Sequence, residues 1–260
     1  MRVALGVAYR GTAYRGWQSQ PGGLTVQDHV DAALTAFAAT PLRSVCAGRT
    51  DAGVHALNQV VHVDTDVVRR PDSWIRGTNR YLPADIAVQW CRVVPETFHS
   101  RASALGRRYR YLLLQSAVRP AVESGHVGWT FRRLDADALR EAAAALVGRH
   151  DFSAFRSAEC QALSPVKTMR RVAIEQRGAY WGFEFDADAF LHHMIRNLMG
   201  SLLSVGSGAR SPGWIADVLA SRDRTLAAAT FAPDGLYFLG PYYDPAHAIP
   251  EHTPAMDWLP

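Results

Sequence analysis

Arg49 and Asp51 are candidate catalytic residues because one loop bounded by glycines carries both of them, two positions apart. Gly48 and Gly53 permit backbone angles that other residues avoid, so the loop can turn sharply and present both side chains. A carboxylate in this setting can act as a nucleophile or a base, and an arginine offers a planar fork for phosphate. The same Gly-x-x-Asp pattern also occurs in ordinary turns, in which the aspartate caps backbone N–H groups.

The segments on both sides of this loop are apolar and rich in β-branched residues. Residues 42–47 precede it and residues 59–64 follow it, and both segments are predicted to be strands. Strands give a loop a rigid base, and catalytic groups often lie on loops that are held in this way. The surrounding elements therefore favour a functional loop but do not identify its chemistry.

Arginines and tyrosines alternate at residues 107–111, which read Arg-Arg-Tyr-Arg-Tyr. In a strand, Arg107, Tyr109 and Tyr111 share one face. An aromatic ring among arginines suits a stacked nucleobase with guanidinium groups on phosphates. An edge strand with solvated arginines and two core tyrosines accounts for the pattern equally simply.

Arg196 lies in an otherwise apolar segment, 189–203, which is predicted to be the longest helix. His192 precedes it by four residues, so both side chains should occupy one side of that helix. A charge on a mostly buried helix costs several kcal/mol of folding free energy unless it is paired, so Arg196 is expected to have an anionic partner or to lie at the helix surface. His192 and His193 would point about 100° apart, which does not suit joint binding of one metal ion.

The remaining periodicity predicts two halves, 1–105 and 106–260, each with strands and covering helices. Further strands are predicted at 2–9, 85–94, 107–114, 168–176, 181–186 and 236–239, and further helices at 25–38, 73–80, 136–147, 212–220 and 223–229. This order predicts an α+β fold with a largely antiparallel sheet and helices on one face. The proline-rich tail from Pro241 is predicted to be an extended surface strap.

The composition is that of a globular protein, with 260 residues, 48% hydrophobic and 20% charged. Lys167 is the only lysine among 28 basic residues, but a GC-rich genome explains that bias as well as RNA binding does. The chain contains no apolar run of membrane-spanning length and no secretion signal, and its three cysteines form neither a disulfide framework nor a zinc pattern. A cytoplasmic location is therefore expected.

The loop, the arginine–tyrosine strand and the arginine helix together resemble the TruA-type tRNA pseudouridine synthases. The resemblance extends over nearly the whole chain and includes segments 14–20, 25–27, 79–86 and 223–237. The sequence departs from the usual family pattern at Asn58, Ser100 and Ala102 and in segment 206–210. Asn58 stands just after the loop at a position where the family usually has a glycine, so the turn there is expected to differ in geometry.

The resemblance implies a role for six residues. Asp51 would be the catalytic carboxylate, Arg196 the cation that keeps it ionised, and Arg49 the side chain that enters the RNA stack when the target base flips out. Tyr109 would pack against the uracil, Leu236 would line its pocket, and Arg107 would complete the substrate-binding set. No cofactor and no metal would be needed.

The resemblance also implies the fold and the partners. The fold would be the pseudouridine synthase fold, in which two tandem ferredoxin/RNP-like subdomains share a mixed, largely antiparallel sheet around a central RNA-binding cleft. The substrate would be the anticodon arm of tRNA, with uridines 38, 39 and 40 as targets. The protein would be a homodimer with one tRNA bridging two subunits.

Two other functions are compatible with parts of the sequence. One is a non-catalytic RNA-binding protein of the same fold, which would bind tRNA in a salt-dependent manner without forming a product. The other is a metal-dependent hydrolase that uses His62, Asp64 and Asp66, although the chain lacks a complete metal-ligand pattern around them.

Overall fold

The structure is a computed structural model that describes residues 1–251 and consists of two compact units. Unit 1 comprises Met1–Gly106 together with the chain from Phe238 onward, and unit 2 comprises Arg107–Tyr237. The predicted division at residues 105 and 106 differs from this, because it places the C-terminal segment in the second half. The part of the predicted tail that follows Glu251 lies outside the described residues.

Within residues 1–251, ten strands and five α-helices form the two units. The strands are β1 (Arg2–Tyr9), β2 (Val45–Cys46), β3 (His55–Asp64), β4 (Ile86–Val94), β5 (Gly106–Gln115), β6 (Gly128–Thr130), β7 (Gly148–Asp151), β8 (Val166–Arg177), β9 (Tyr180–Ala187) and β10 (Leu236–Tyr242). The helices are α1 (Val26–Ala38), α2 (Pro71–Asn79), α3 (Ala136–Ala144), α4 (Met194–Gly206) and α5 (Trp214–Ser221).

In unit 1, β1 lies between β3 and β4 and pairs antiparallel with both, and β2 adds to β3. Val3 opposes Val63 and Leu5 opposes Val61, and all four side chains are buried. Helix α1 begins where the sequence predicts, because the Thr25 side chain accepts a hydrogen bond from the Asp28 N–H. These pairings make a rigid sheet from which the loop between β2 and β3 projects.

In unit 2, the antiparallel strands follow the order β5-β9-β8-β7, and β6 pairs parallel with β5. Tyr111 opposes Phe183 across β5 and β9, and both rings are fully buried. Helix α4 approaches α3 closely at Gly206, where an added Cβ would lie 2.8 Å from Leu139. The predicted α+β class with a mixed sheet is confirmed.

Four predicted elements differ in position or kind. Of the strand predicted at 42–47, only Val45–Cys46 is a strand. The helix predicted at 189–203 begins only at Met194 and ends at Gly206. The helix predicted at 223–229 is a single 3₁₀ turn, Arg224–Leu226. The tail does not leave the fold at Pro241, because β10 continues to Tyr242.

Tyr243 shows why this last segment stays in the core of unit 1. Its ring packs 5.1 Å from that of Phe98, and its hydroxyl donates a 2.6 Å hydrogen bond to the Ser100 carbonyl. Only 5% of Tyr243 is exposed. Within residues 1–251, none of the helices combines the length and apolar character that crossing a bilayer requires.

Candidate functional site

Gln59 fixes the start of the loop that carries Arg49 and Asp51. It lies in β3 and is fully buried, and its side-chain amide donates to the Gly48 carbonyl and accepts from the Gly48 N–H. The neighbouring Ala47 N–H donates to the Val60 carbonyl at 2.9 Å. A buried amide that satisfies both backbone groups of one glycine holds the loop entrance against β3.

Tyr9 and Trp17 fix the middle of the loop at Thr50. The hydroxyls of Tyr9 and Thr50 form a buried 2.8 Å hydrogen bond, and the Trp17 N–H donates to the Thr50 carbonyl at 3.0 Å. Burial raises the pKa of Tyr9, so its hydroxyl stays protonated and can take part in this bond at neutral pH. The residue just before Asp51 is thus tied to two other segments of unit 1.

Glycines allow the remaining close contacts of the loop. Gly16 has φ of +85° and lies so near the loop that an added Cβ would be 2.7 Å from the Thr50 carbonyl oxygen. Gly53 has φ of +81°, and its N–H donates to the Tyr14 carbonyl. The following Val54 N–H donates to the Asp51 carbonyl at 3.2 Å and closes the turn.

On this fixed backbone, the Asp51 side chain is half-buried and Arg49 is exposed. Asn58, the departure from the family pattern, lies in β3 and accepts a hydrogen bond from the Trp90 indole N–H at 2.9 Å. It therefore does not shape the turn. The loop presents a carboxylate and a guanidinium from one rigid base, as the sequence predicts.

Tyr109 lies in β5 of unit 2 and is 7% exposed. Its ring makes an edge contact with Phe190 at 5.0 Å between centroids, and Phe185 is its partner on β9. Arg107, on the same strand, donates from Nη1 to the Asp188 carbonyl at 2.9 Å. No sequence pattern indicates this contact, which ties β5 to the segment that leads into α4.

The segment before α4 corrects the prediction for His192. His193 has a left-handed backbone with φ of +60°, which an α-helix cannot include, so helix α4 begins at Met194. His192 therefore does not share a helix face with Arg196, and the 100° argument does not apply to the histidine pair. The two imidazole rings instead lie 4.0 Å apart between centroids.

Arg196 lies in the first turn of α4 and is half-buried. Its Nε donates to the Phe231 carbonyl at 2.9 Å, and the Phe231 N–H donates to the Arg196 carbonyl at 3.1 Å. The N-terminal end of a helix carries a partial positive charge, which adds to that of the guanidinium. This end of α4 therefore favours a negatively charged partner.

Leu236 is the first residue of β10 and is 4% exposed. The Leu112 N–H donates to the Gly235 carbonyl at 2.8 Å, and a Cβ at Gly235 would lie 2.0 Å from the Leu112 carbonyl oxygen. Only glycine fits this approach, which places Leu236 beside the strand that carries Tyr109.

Contacts in unit 1 argue against the hydrolase hypothesis. Both Asp64 oxygens accept 2.8 Å hydrogen bonds from Arg2. His62 Nδ1 lies 2.9 Å from the Ser100 hydroxyl, and burial lowers the pKa of His62 to about 4. Asp66 is exposed. His62 and Asp64 thus have structural partners.

Comparison with known proteins gives one consistent result. A family model described as tRNA pseudouridine synthase matches residues 6–101 and 142–244. The chain is 71% identical over 260 residues to "tRNA pseudouridine synthase A" of Methylibium petroleiphilum. Proteins of the same name from Polaromonas naphthalenivorans and Paracidovorax citrulli are 61% identical over 264 residues and 60% identical over 278 residues. Each alignment covers 100% of both chains.

Proposed function

Because the chain belongs to the tRNA pseudouridine synthase family, a family of isomerases, we propose that it converts uridine to pseudouridine in the anticodon arm of tRNA, at positions 38, 39 and 40, with Asp51 as the catalytic carboxylate. The observation that carries this proposal is the loop around Asp51. Gln59, Tyr9 and Trp17 hold its backbone by hydrogen bonds, which is the rigid support that a catalytic group requires.

The proposed reaction is an isomerisation and needs no cofactor. The bond from ribose C1′ to uracil N1 breaks, the base turns, and C1′ joins C5. N1 gains a proton and C5 loses one to solvent, so atoms and electrons balance. Asp51 can serve by attack on C1′, by addition to uracil C6, or by taking the 2′ proton, and each route requires its ionised form.

Arg196 is the proposed partner of Asp51. A half-buried carboxylate loses part of its hydration, and a nearby guanidinium can replace the lost interactions. Support comes from the position of Arg196 in the first turn of α4, where the guanidinium and the helix dipole have the same sign.

The other site residues are proposed to handle the RNA. Tyr109 would hold the freed uracil, supported by its ring contact with Phe190 and its pairing with Phe185 on β9, and Leu236 would line the same pocket. The exposed Arg49 would occupy the space that the flipped base leaves, and Arg107 would assist substrate binding. Flipping costs a few kcal/mol in a duplex and less near a loop.

The proposal includes the assembly and the location of the protein. An RNA arm is recognised mainly by its phosphates and 2′-hydroxyls, so one enzyme can accept neighbouring uridines. We place one tRNA across two subunits of a homodimer in the cytoplasm. The three cysteines, Cys46, Cys91 and Cys160, are buried free thiols, which suits a reducing compartment.

Two tRNA transcripts test the substrate assignment. One carries uridine at positions 38, 39 and 40, and its matched control carries cytidine at all three. We expect pseudouridine, mapped by carbodiimide modification and primer extension, only in the first transcript. Equal conversion of the control at other positions would contradict the assignment. Tight binding of both transcripts without any product would favour the non-catalytic RNA-binding alternative.

A further inference from the structure

Residues 227–232, here named the α4 strap, run along one side of helix α4. The Ala228 N–H donates to the Ser201 hydroxyl at 3.3 Å. A Cβ added to Gly200 would lie 2.1 Å from the Ala229 carbonyl oxygen, so the strap and the helix backbone are in direct contact there. The strap is therefore packed directly against α4 within unit 2.

Arg224 and Asn197 hold the strap in place. The Asn197 side-chain oxygen accepts from Arg224 Nη2 at 3.1 Å and from the Thr230 hydroxyl at 2.7 Å. Arg224 Nη2 also donates to the Thr230 hydroxyl at 3.2 Å, and Nη1 donates to the Ala228 carbonyl at 3.0 Å. Asn197 is 1% exposed and donates to the Phe155 carbonyl at 2.9 Å, so this anchor is itself fixed.

Tyr111 holds the far end of the strap. Its hydroxyl donates to the Ala232 carbonyl at 2.9 Å, and its ring lies 5.7 Å from that of Phe231. Phe231 therefore lies between two anchors, Thr230 on one side and Ala232 on the other. Its carbonyl oxygen is the acceptor for Arg196 Nε.

This arrangement fixes the orientation of the Arg196 guanidinium. An arginine side chain has several rotatable bonds, and a hydrogen bond at Nε restricts the plane of its terminal group. The Nη edge is then the part that can engage a carboxylate. A displacement of about 1 Å in a catalytic constellation can cost roughly a hundredfold in rate.

We propose that Arg224 is a positioning residue for the reaction: by seating the α4 strap through Asn197 and Thr230, it places the Phe231 carbonyl where it orients Arg196. This inference rests on the proposed function, in which Arg196 opposes the charge of Asp51. Within the described residues, Arg224 forms its hydrogen bonds with amide, hydroxyl and carbonyl oxygens and has no acidic partner.

The variant Arg224→Met tests the proposal by steady-state tritium release from tRNA that carries 5-tritiated uridine. We expect kcat to fall roughly 10- to 100-fold while the KM for tRNA and the tRNA dissociation constant change less than about twofold. Arg222→Met is the matched control, because it removes the same charge two residues away, at a side chain that is 69% exposed and, within residues 1–251, has only a long ion pair, 3.6 Å, with Asp151. It should retain wild-type kcat. A higher KM with unchanged kcat would assign Arg224 to RNA binding and overturn the proposal.

A double-mutant cycle tests whether Arg224 acts through Arg196. In an Arg196→Met background, adding Arg224→Met should cause no further loss of single-turnover rate. Equal losses in both backgrounds would overturn the proposal. Normal turnover of Arg196→Met alone would refute the function proposed for Arg196 and this inference with it, whereas a slow Arg196→Met with a normal Arg224→Met would refute this inference alone.

A second pair of variants keeps the test decisive if Arg224→Met does not fold. Thr230→Val removes the hydroxyl that bonds Asn197, and Thr230→Ser retains it. We expect Thr230→Val to lower kcat with little change in KM and Thr230→Ser to restore most of the rate. Equal rates in the two variants would contradict the proposed anchoring.

Discussion

Within residues 1–251, three sets of charged residues differ in how they are held. Arg2 and Asp64 satisfy each other by two hydrogen bonds within unit 1, and Arg2 lowers the pKa of the Asp64 carboxyl. Arg224 is held by neutral oxygens alone. Asp51 and Arg196 differ from both, because each lies half-buried on a backbone that other segments fix. Rigid presentation of charge is what the catalytic roles proposed for these two residues require.

His62 makes the stability of the protein depend on pH in a defined window. Its pKa falls from 6.5 to about 4 in the folded state, first because of burial and then because of Arg2 and His99. Between these values the unfolded chain binds a proton at His62 that the folded chain does not. The contribution of His62 to the free energy of unfolding is therefore fully present above pH 6.5 and is lost as the pH falls toward 4. The full loss is about 3 kcal/mol.

Urea unfolding of wild type and His62→Gln between pH 7.5 and 4.5 measures this loss. The wild type should lose more free energy of unfolding over that range than the variant. The stabilising contribution of Asp64 is lost only at lower pH, because the hydrogen bond from Arg2 holds the pKa of its carboxyl below the usual value. Parallel pH profiles of the two proteins would show that His62 is not the titrating group.

At the scale of elements, the sequence predicts what local patterns determine. Thr25 and Asp28 mark the start of α1 through a capping pair, and the structure contains that cap. The start of α4 was mispredicted because non-local contacts decide it. The Asp188 side chain accepts from the Ala189 and Thr168 N–H groups, and the His192 N–H donates to the Cys160 sulfur. No pattern within residues 189–193 reveals partners so distant in the chain.

The candidate site also contains some residues that the sequence reveals and others that it does not. The types and spacing of Arg49 and Asp51 were visible in the sequence, and so was the apolar context of Arg196. The residues that hold them, Gln59 and Phe231, were not identified, because a backbone contact leaves little trace in residue type. A glutamine inside the apolar strand β3 was the one available signal, since a buried amide requires partners.

The contact between Gly16 and the Asp51 loop leads to a prediction at this scale. Gly16→Ala places a methyl group against the Thr50 carbonyl and should displace the loop, lowering turnover more than about tenfold. Gly23→Ala is the matched control, because Gly23 also has positive φ, +67°, but has no atom within 4 Å of an added Cβ. The control should cost about 1 kcal/mol of stability and leave turnover unchanged.

Thermal midpoints of the two glycine variants measure the backbone strain that alanine causes at positive φ. Their single-turnover rates measure whether the Asp51 loop is displaced. If Gly16→Ala and Gly23→Ala lose the same stability and keep the same turnover, the segment around Gly16 does not control the catalytic loop.

At the scale of the whole molecule, unit 1 contains Asp51 and unit 2 contains Tyr109 and Arg196. The proposed chemistry therefore needs both units, and deletion of either would remove an essential group. The formal net charge is only +4, so the charge of the chain alone does not explain selective tRNA binding. The proposed tRNA that spans two subunits would add contacts beyond those that net charge provides.

The proposed homodimer gives a direct prediction. Light scattering after gel filtration should give a mass of twice 28.6 kDa at micromolar protein concentration. Turnover should fall on dilution below the dimer dissociation constant, because one tRNA is proposed to contact both subunits. A monomer with full specific activity would contradict the bridging arrangement.

The most direct test of the central claim is single-turnover tritium release by Asp51→Ala and wild type, with 5-tritiated tRNA bound to saturation. We predict that the variant binds tRNA within about threefold of wild type and releases tritium at least about a thousandfold more slowly, because the proposed catalytic carboxylate is gone. Release by Asp51→Ala at close to the wild-type rate would contradict the assignment of Asp51 and the mechanism built on it.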